Sequence, residues 1–350
     1  MALARLALIL AISLSGGLSS AFAAKYRVNN TPGTSPAYAN LQTAINSVST
    51  GDTLIVEHSE TGYGSITINK DISLYGTGYF LADNPNNHKD LRTAKVTGVT
   101  FTAQGSGALF SGFEVLGNIT VNASSVDIER CRIVGTVTVG SGGSIANFKL
   151  RQCFIEANQS ILVDLVNAGN YKISNCLLKN DNPLNSAHIV RHTTGSGVVL
   201  NNVFFGAPKS TFKNSTIQDN YFRDAIIDIA GSSGNTVRHN AANSAMLNAF
   251  GNPTNLNVSL LPFYLANQDS VFSFNQTASR DGRYDLNPTW PTNPLRVSGF
   301  GGGEIGMYGT SYSYVLSGLP SIPSIYDYVS APQGTPNTGV NVTVKGKGNK

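Results

Sequence analysis

The sequence predicts an all-β chain wound as a parallel β-helix, a solenoid of short strands stacked turn upon turn. Three observations carry this. Cys131, Cys153 and Cys176 stand 22 and 23 residues apart and mark one repeat: Ile128-Glu129-Arg130-Cys131-Arg132-Ile133, Leu150-Arg151-Gln152-Cys153-Phe154-Ile155 and Ile173-Ser174-Asn175-Cys176-Leu177-Leu178. Within each copy the two inward positions that flank the bend break the period of two of a single strand, so two short strands must meet at a bend. Only 13% of the residues are charged while 41% are hydrophobic, too few charges for a helical bundle and too much apolar content for disorder.

The elements follow in chain order. Met1 to Ala23 reads as an export leader: Arg5, an apolar run from Leu6 to Leu14, and Ala21-Phe22-Ala23 as a cleavage site. The run is well short of the roughly 20 residues that span a bilayer. Tyr38 to Val48 puts Leu41, Ala44, Ile45 and Val48 on one helical face, an amphipathic helix placed to cover the open end of the core. Early coils run through Thr53 to Val56, Ile66 to Gly76 and Val96 to Phe101, with Phe110 to Val115 an early copy of the repeat.

The repeat then extends through Val203, Asn220 and Asn240, giving the column Cys131, Cys153, Cys176, Val203, Asn220 and Asn240. Arg130, Gln152, Asn175, Asn202, Asp219 and His239 occupy the bend, a set leaning to residues that tolerate left-handed backbone. The cysteines read as buried free thiols. Asn252 to Pro294 reads as irregular final coils and Gly299 to Gly309 as a closing strand. The solenoid is thus expected over residues 24–310, followed by a Pro- and Tyr-rich tail over 311–350 that packs on it, with Val340 to Val344 an edge strand and Lys345 to Lys350 a fraying end.

Leu41-Gln42-Thr43-Ala44-Ile45, Gly51-Asp52-Thr53-Leu54-Ile55-Val56 and Ile66-Thr67-Ile68-Asn69-Lys70-Asp71-Ile72-Ser73-Leu74-Tyr75-Gly76, with the later coils, resemble the right-handed parallel β-helix superfamily that includes pectate-lyase-like proteins. The resemblance implies a single-stranded right-handed solenoid over about residues 26 to 310; so many functions share this fold that it selects no chemistry.

Chemistry is then expected on outward columns. Asp127, Glu129, Lys149, Arg151 and Lys172 fall on three successive coils. Two readings stay open. In one, a polysaccharide lyase uses Lys149 and Arg151 against a uronate carboxylate, Lys172 as base and Asp127 with Glu129 holding Ca²⁺. In the other, Asp127 pairs with Lys149 and Glu129 with Arg151 as ordinary cross-strand bridges. A second column, Arg132, Phe154, Leu177, Phe204 and Tyr221, flanked by Glu156, Lys179 and Arg223, forms an apolar stripe. Such a stripe demands a cover, from Asn180 to Thr194 or the tail after Tyr312, or a partner, so Phe154, Leu177, Phe204, Tyr221, Lys179 and Arg223 are the candidate binding residues. His188 and His192 lack a third ligand nearby in sequence.

The formal net charge is +4 without a dense basic run, which argues against nucleic acid. Zinc-protease, nucleophile-elbow, phosphate-loop and Ca²⁺-nonapeptide motifs are absent, as are the polygalacturonase, pectin-methylesterase and pectate-lyase signatures. The sequence therefore points to an exported cell-surface or matrix protein, without a membrane span, that binds polysaccharide or a cell-surface glycan or mediates adhesion. A lyase or hydrolase and a purely structural component are the alternatives.

Overall fold

A computed structural model describes residues 23–349 except 185, 225, 228–231, 243–259, 263–270, 275–276, 310–311 and 332–338. Nearly all of the leader lies outside these residues. The chain is predominantly β, with parallel sheets and little helix. Its strands form three long sheets of ten, nine and eight members. Successive coils send one strand to each in turn: Asp127–Glu129, Arg132–Ile133 and Val137–Val139 are followed by Lys149–Arg151, Phe154–Ala157 and Ile161–Leu165. Each pairs in parallel with its equivalent one coil later.

Inward side chains stack in ladders. Leu54, Leu74, Phe110, Ile128, Leu150, Ile173, Val199, Ile217 and Val237 follow one another through the ten-stranded sheet, all buried. The helix is shorter than the sequence suggests, Leu41–Ser47, with Asn40 as N-cap accepting from the Thr43 amide. Its Leu41, Ala44 and Ile45 join the same core as the ladders.

The bend after each of the last six strands of the ten-stranded sheet is left-handed. Arg130, Gln152, Asn175, Asn201, Asp219 and His239 all have φ between +52° and +57°. The register therefore corrects the expected columns by one residue in a single coil: Asn201, not Asn202, makes the bend, and Asn202, not Val203, follows the cysteines. The following interval compensates, so Asn220 and Asn240 stand where the sequence puts them. Three consecutive apolar residues, Val203-Phe204-Phe205, hid the slip.

The cysteine column and the asparagine column solve one problem with two side chains. At each left-handed bend the next backbone N–H turns away from its strand ladder and needs an acceptor. The Asn202 amide donates to Asn220 Oδ1 and the Asn220 amide to Asn240 Oδ1, both at 2.9 Å. Cys176 N donates to Asn202 Oδ1 at 3.0 Å, and Cys153 N to Cys176 Sγ at 3.4 Å. The donors match as well. Asn202, Asn220 and Asn240 send Nδ2 to the carbonyls of Ile173, Val199 and Ile217. Cys131, Cys153 and Cys176 send Sγ to those of Phe110, Ile128 and Leu150. The thiols are free and fully buried, and burial raises the pKa of Cys131 and Cys176.

Residues 298–309 and 312–320 form a strap that runs back along these bends. Its only regular elements among the described residues are short 3-10 turns, so the expected closing strand over Gly299 to Gly309 is absent. It is held by the bend side chains in reverse order: His239 Nδ1 lies 3.2 Å from Ser298 O, Asp219 accepts from the Phe300 amide, and Asn201 donates to Glu304 O. Asn175 then donates to Met307 O and Gly309 O, Gln152 to Tyr312 O and Ser313 O, and Arg130 to Leu319 O. One coil earlier the bend is Gly112, φ +78°, where an added Cβ would lie 3.0 Å from Pro320. Past the strap, Ser324–Ser330 and Val342–Lys347 make an antiparallel ribbon. Its end is tied rather than frayed: Lys345 pairs with Asp327 and Lys347 donates to Asn87.

The ladder makes a graded prediction. Asn220→Ala leaves buried amides and carbonyls unpaired and is expected to cost about 2–4 kcal/mol. Asn220→Cys keeps both a weak donor and a weak acceptor and is expected to cost less than half as much. Denaturant midpoints of the two variants check this; equal losses would show that the two side chains are not equivalent in the column.

Candidate functional site

On the outer surface of the ten-stranded sheet, Lys149 and Lys172 are direct register partners on adjacent strands. Both are exposed, and like charges set opposite one another in this way are destabilising. Neither makes an ion pair or side-chain hydrogen bond among the described residues. Both carboxylates of the neighbouring coil go instead to Arg151. Its Nε and Nη2 lie 2.9 and 2.6 Å from the two Asp127 oxygens, and Nη2 lies 3.0 Å from Glu129 Oε2. Of the two cross-strand bridges expected from sequence, Glu129 to Arg151 forms; Asp127 reaches diagonally to Arg151 and leaves Lys149 alone. The guanidinium also occupies the place assigned to a cation between Asp127 and Glu129, which corrects that reading. Burial pushes the Glu129 carboxyl up against the pull of Arg151 and Arg130. Burial works against the charge of Arg151 too, but its hydrogen bonds to Asp127 together with the charges of Asp127 and Glu129 outweigh it and raise the pKa.

The three cations open onto a groove of about 260 Å³, together with Ser174, Asn175 and Tyr312. Tyr312 is 71% exposed. Its position follows from the strap, because Gln152 Nε2 grips the carbonyls of residues 312 and 313 at 3.0 and 2.6 Å. Sequence reading placed Lys149, Arg151 and Lys172 together and missed Tyr312 as part of the same site. The available signal was the column of amide and guanidinium side chains at successive bends, long enough to hold a returning segment.

The apolar stripe is covered. Its members by register are Arg132, Phe154, Leu177, Val203, Tyr221 and Ala241. Phe154, Leu177 and Tyr221 are at most 2% exposed, packed with Tyr79, Phe272, Tyr284, Leu295, Ile305 and Tyr314. Phe204 never belonged to it: it points inward and stacks on Phe222 at 4.5 Å. These four are therefore corrected from binding platform to core. The cover comes from described residues between 271 and 314, mostly ahead of the tail, with Tyr79 and Phe80, and not from Asn180 to Thr194. Lys179 bridges Glu156 and Asp181, and Arg223 lies over the rings of Phe205 and Phe274, so both cations hold the rim of the cover. The hydroxyls of Tyr79 and Tyr314 meet at 2.5 Å beneath it, and buried Asp281 accepts from the Ser317 amide and the Tyr314 hydroxyl.

His192 is buried against Tyr171, and burial lowers its pKa. Among the described residues no cluster of three His, Cys, Asp or Glu side chains stands ready for a metal. A larger, mainly apolar cavity of about 390 Å³ lies elsewhere, between the early coils and the C-terminal ribbon, away from these charges. No helix among the described residues is long and apolar enough to cross a membrane. No family model, no curated protein and no solved structure matches the chain.

The strap carries its own titration. Burial, reinforced by Asp285 and opposed by Arg296, pushes the Glu304 carboxyl up to about 7. A raised carboxyl stabilises the folded state only while it stays protonated. The contribution of Glu304 to stability is thus expected to be fully present below the ordinary carboxylate range and to be lost as pH rises from about 4.5 through 7. Glu304→Gln should flatten that slope in thermal melts across the range. An unchanged slope would place the titration elsewhere.

Proposed function

We propose that this chain is an exported right-handed parallel β-helix, related in architecture to pectate-lyase-like proteins, that binds an acidic polysaccharide at a cell surface or in a matrix. The groove of Lys149, Lys172, Arg151 and Tyr312 is its binding site. One observation carries the reading. Two exposed lysines stand opposite each other on adjacent strands without an ion-pair partner among the described residues, at a cost to the fold, beside a solvent-facing aromatic ring held in place by its own backbone. A polymer carrying carboxylates or sulfates relieves the repulsion, and a sugar ring has a flat apolar face to lay on Tyr312.

Binding is favoured over lyase chemistry because Asp127 and Glu129, which that chemistry would use to hold Ca²⁺, are both tied to Arg151, so the uronate carboxylate would have no metal to acidify the neighbouring C–H. The β-helix itself is supported by the order in which each coil feeds three parallel sheets, by the helix packed against the same core, and by the tail lying along the bends. The export leader supports an acidic glycan outside the cell as the partner.

Titration calorimetry against polygalacturonate, alginate and a sulfated glycosaminoglycan tests the reading. Lys149→Ala with Lys172→Ala is expected to weaken binding roughly 10–100-fold, and added salt should weaken wild-type binding in the same direction. Tyr312→Ala, which keeps the strap carbonyls, is expected to cost roughly a factor of ten. Binding indifferent to both lysines would remove the groove. Ultraviolet absorbance of an unsaturated uronate appearing during incubation would replace binding by the lyase reading.

A further inference from the structure

Gln152 follows Arg151 at a left-handed bend, φ +53°, and is only 6% exposed. Its carboxamide has an acceptor end and a donor end, which a half turn of the group would exchange. Arg130, at the bend of the preceding coil, removes that freedom. Its Nε donates to Gln152 Oε1 at 2.8 Å, and a guanidinium has no acceptor to offer the other end. Arg130 is itself buried, with Nη1 donating to Leu319 O at 2.9 Å. The Gln152 oxygen therefore faces Arg130 and Nε2 faces the strap, where it donates to Tyr312 O and Ser313 O.

Two consecutive carbonyls held by one amide fix both the place and the direction of the backbone that carries Tyr312. A ring as exposed as this one takes its position from that backbone rather than from a packed core. We infer that Gln152 is a positioning residue of the groove: it acts on the bound polymer through Tyr312, and Arg130 sets the orientation in which its amide can do so. The inference rests on the groove binding an acidic polysaccharide. Ordering the ring before the sugar arrives spares the entropy of fixing it on contact. The residue type is narrowly chosen. An arginine here would set two guanidinium groups against each other, and a glutamate would accept from Arg130 but offer the strap no donor. Gln152→Glu is therefore the discriminating change, because it keeps the Arg130 partner and turns an oxygen toward the two carbonyls.

The test reads position 312 with and without polymer. The three cysteines are fully buried, so a thiol-reactive nitroxide on a Tyr312→Cys chain labels that site. Its electron paramagnetic resonance line shape is expected to be restricted with Gln152 in place and to become mobile with Gln152→Glu. On the unlabelled chain, Gln152→Glu is expected to weaken polygalacturonate binding roughly tenfold and to add nothing in the Tyr312→Ala background. The salt dependence, set by Lys149 and Lys172, should stay as in wild type. Asn201→Asp makes the same exchange where the strap is held at Glu304. It should leave line shape and affinity unchanged, which separates a local role from general loosening of the strap. An unchanged line shape or full-strength binding with Gln152→Glu, a further loss in the Tyr312→Ala background, or an equal effect of Asn201→Asp would overturn the inference. If wild type binds no acidic polymer, the groove reading fails and with it the action on a ligand, while the line shape still decides whether Gln152 holds position 312.

Discussion

The left-handed bend that closes the last six strands of the ten-stranded sheet is the constraint from which the rest of the structure follows. A non-glycine residue in this conformation is strained by about 1–2 kcal/mol, and six successive coils accept it. The bend creates two demands on opposite sides of the backbone. Inside, an amide loses its ladder partner and takes a thiol or carboxamide from the next coil. Outside, the bend side chain stands clear of the sheet and reaches the carbonyls of the strap. Inward cysteine or asparagine and outward arginine, glutamine or asparagine are the two halves of one device, repeated down the molecule.

The strap explains where the apolar stripe went. Phe154, Leu177, Val203 and Tyr221 make a ladder on the outer surface of the nine-stranded sheet that water would not tolerate bare. Described residues between 271 and 314, with Tyr79 and Phe80, supply the missing layer, and the bends fix its edge. The molecule therefore has two apolar cores separated by one sheet, an inner one of aliphatic ladders and an outer one of edge-to-face aromatic rings. The outer core is fastened by polar groups at its margin: Tyr79 to Tyr314, Asp281 to Ser317, and Arg280 paired to Asp83 while lying over the Phe80 ring.

Much of this was legible in the sequence. The cysteine spacing fixed the coil length, and Ile128, Leu150 and Ile173 stack as the aligned copies require. The slip at Val203 arose where side-chain polarity carried no information, in a run of three apolar residues. The exchange of cysteine for asparagine at an identical hydrogen-bonding position also hid the column, because the two residues look unrelated until donor and acceptor are matched. The strap was the least legible element. Its contacts use backbone carbonyls, which any sequence has, so its path is encoded in the residues that grip it. The basic cluster was visible because it depends only on strand register, whereas Tyr312 joins it through the path of the strap.

The arrangement of charge on the outer surface separates structure from function. Where the fold needs an ion pair it builds a close one: Arg191 sits on both Asp164 oxygens at 3.0 and 2.6 Å, and Arg151 on both Asp127 oxygens. Arg132 is likewise met by Glu114. Lys149 and Lys172 depart from that habit as register partners of like charge that both stay outside any ion pair among the described residues. A carboxylate stands directly opposite Lys149 on the preceding strand, and the fold gives it to Arg151 instead. Planar guanidinium geometry, which suits a bidentate carboxylate, accounts for that choice. Its consequence is a pair of exposed lysines on neighbouring strands about 4.8 Å apart, with no carboxylate paired to either among the described residues.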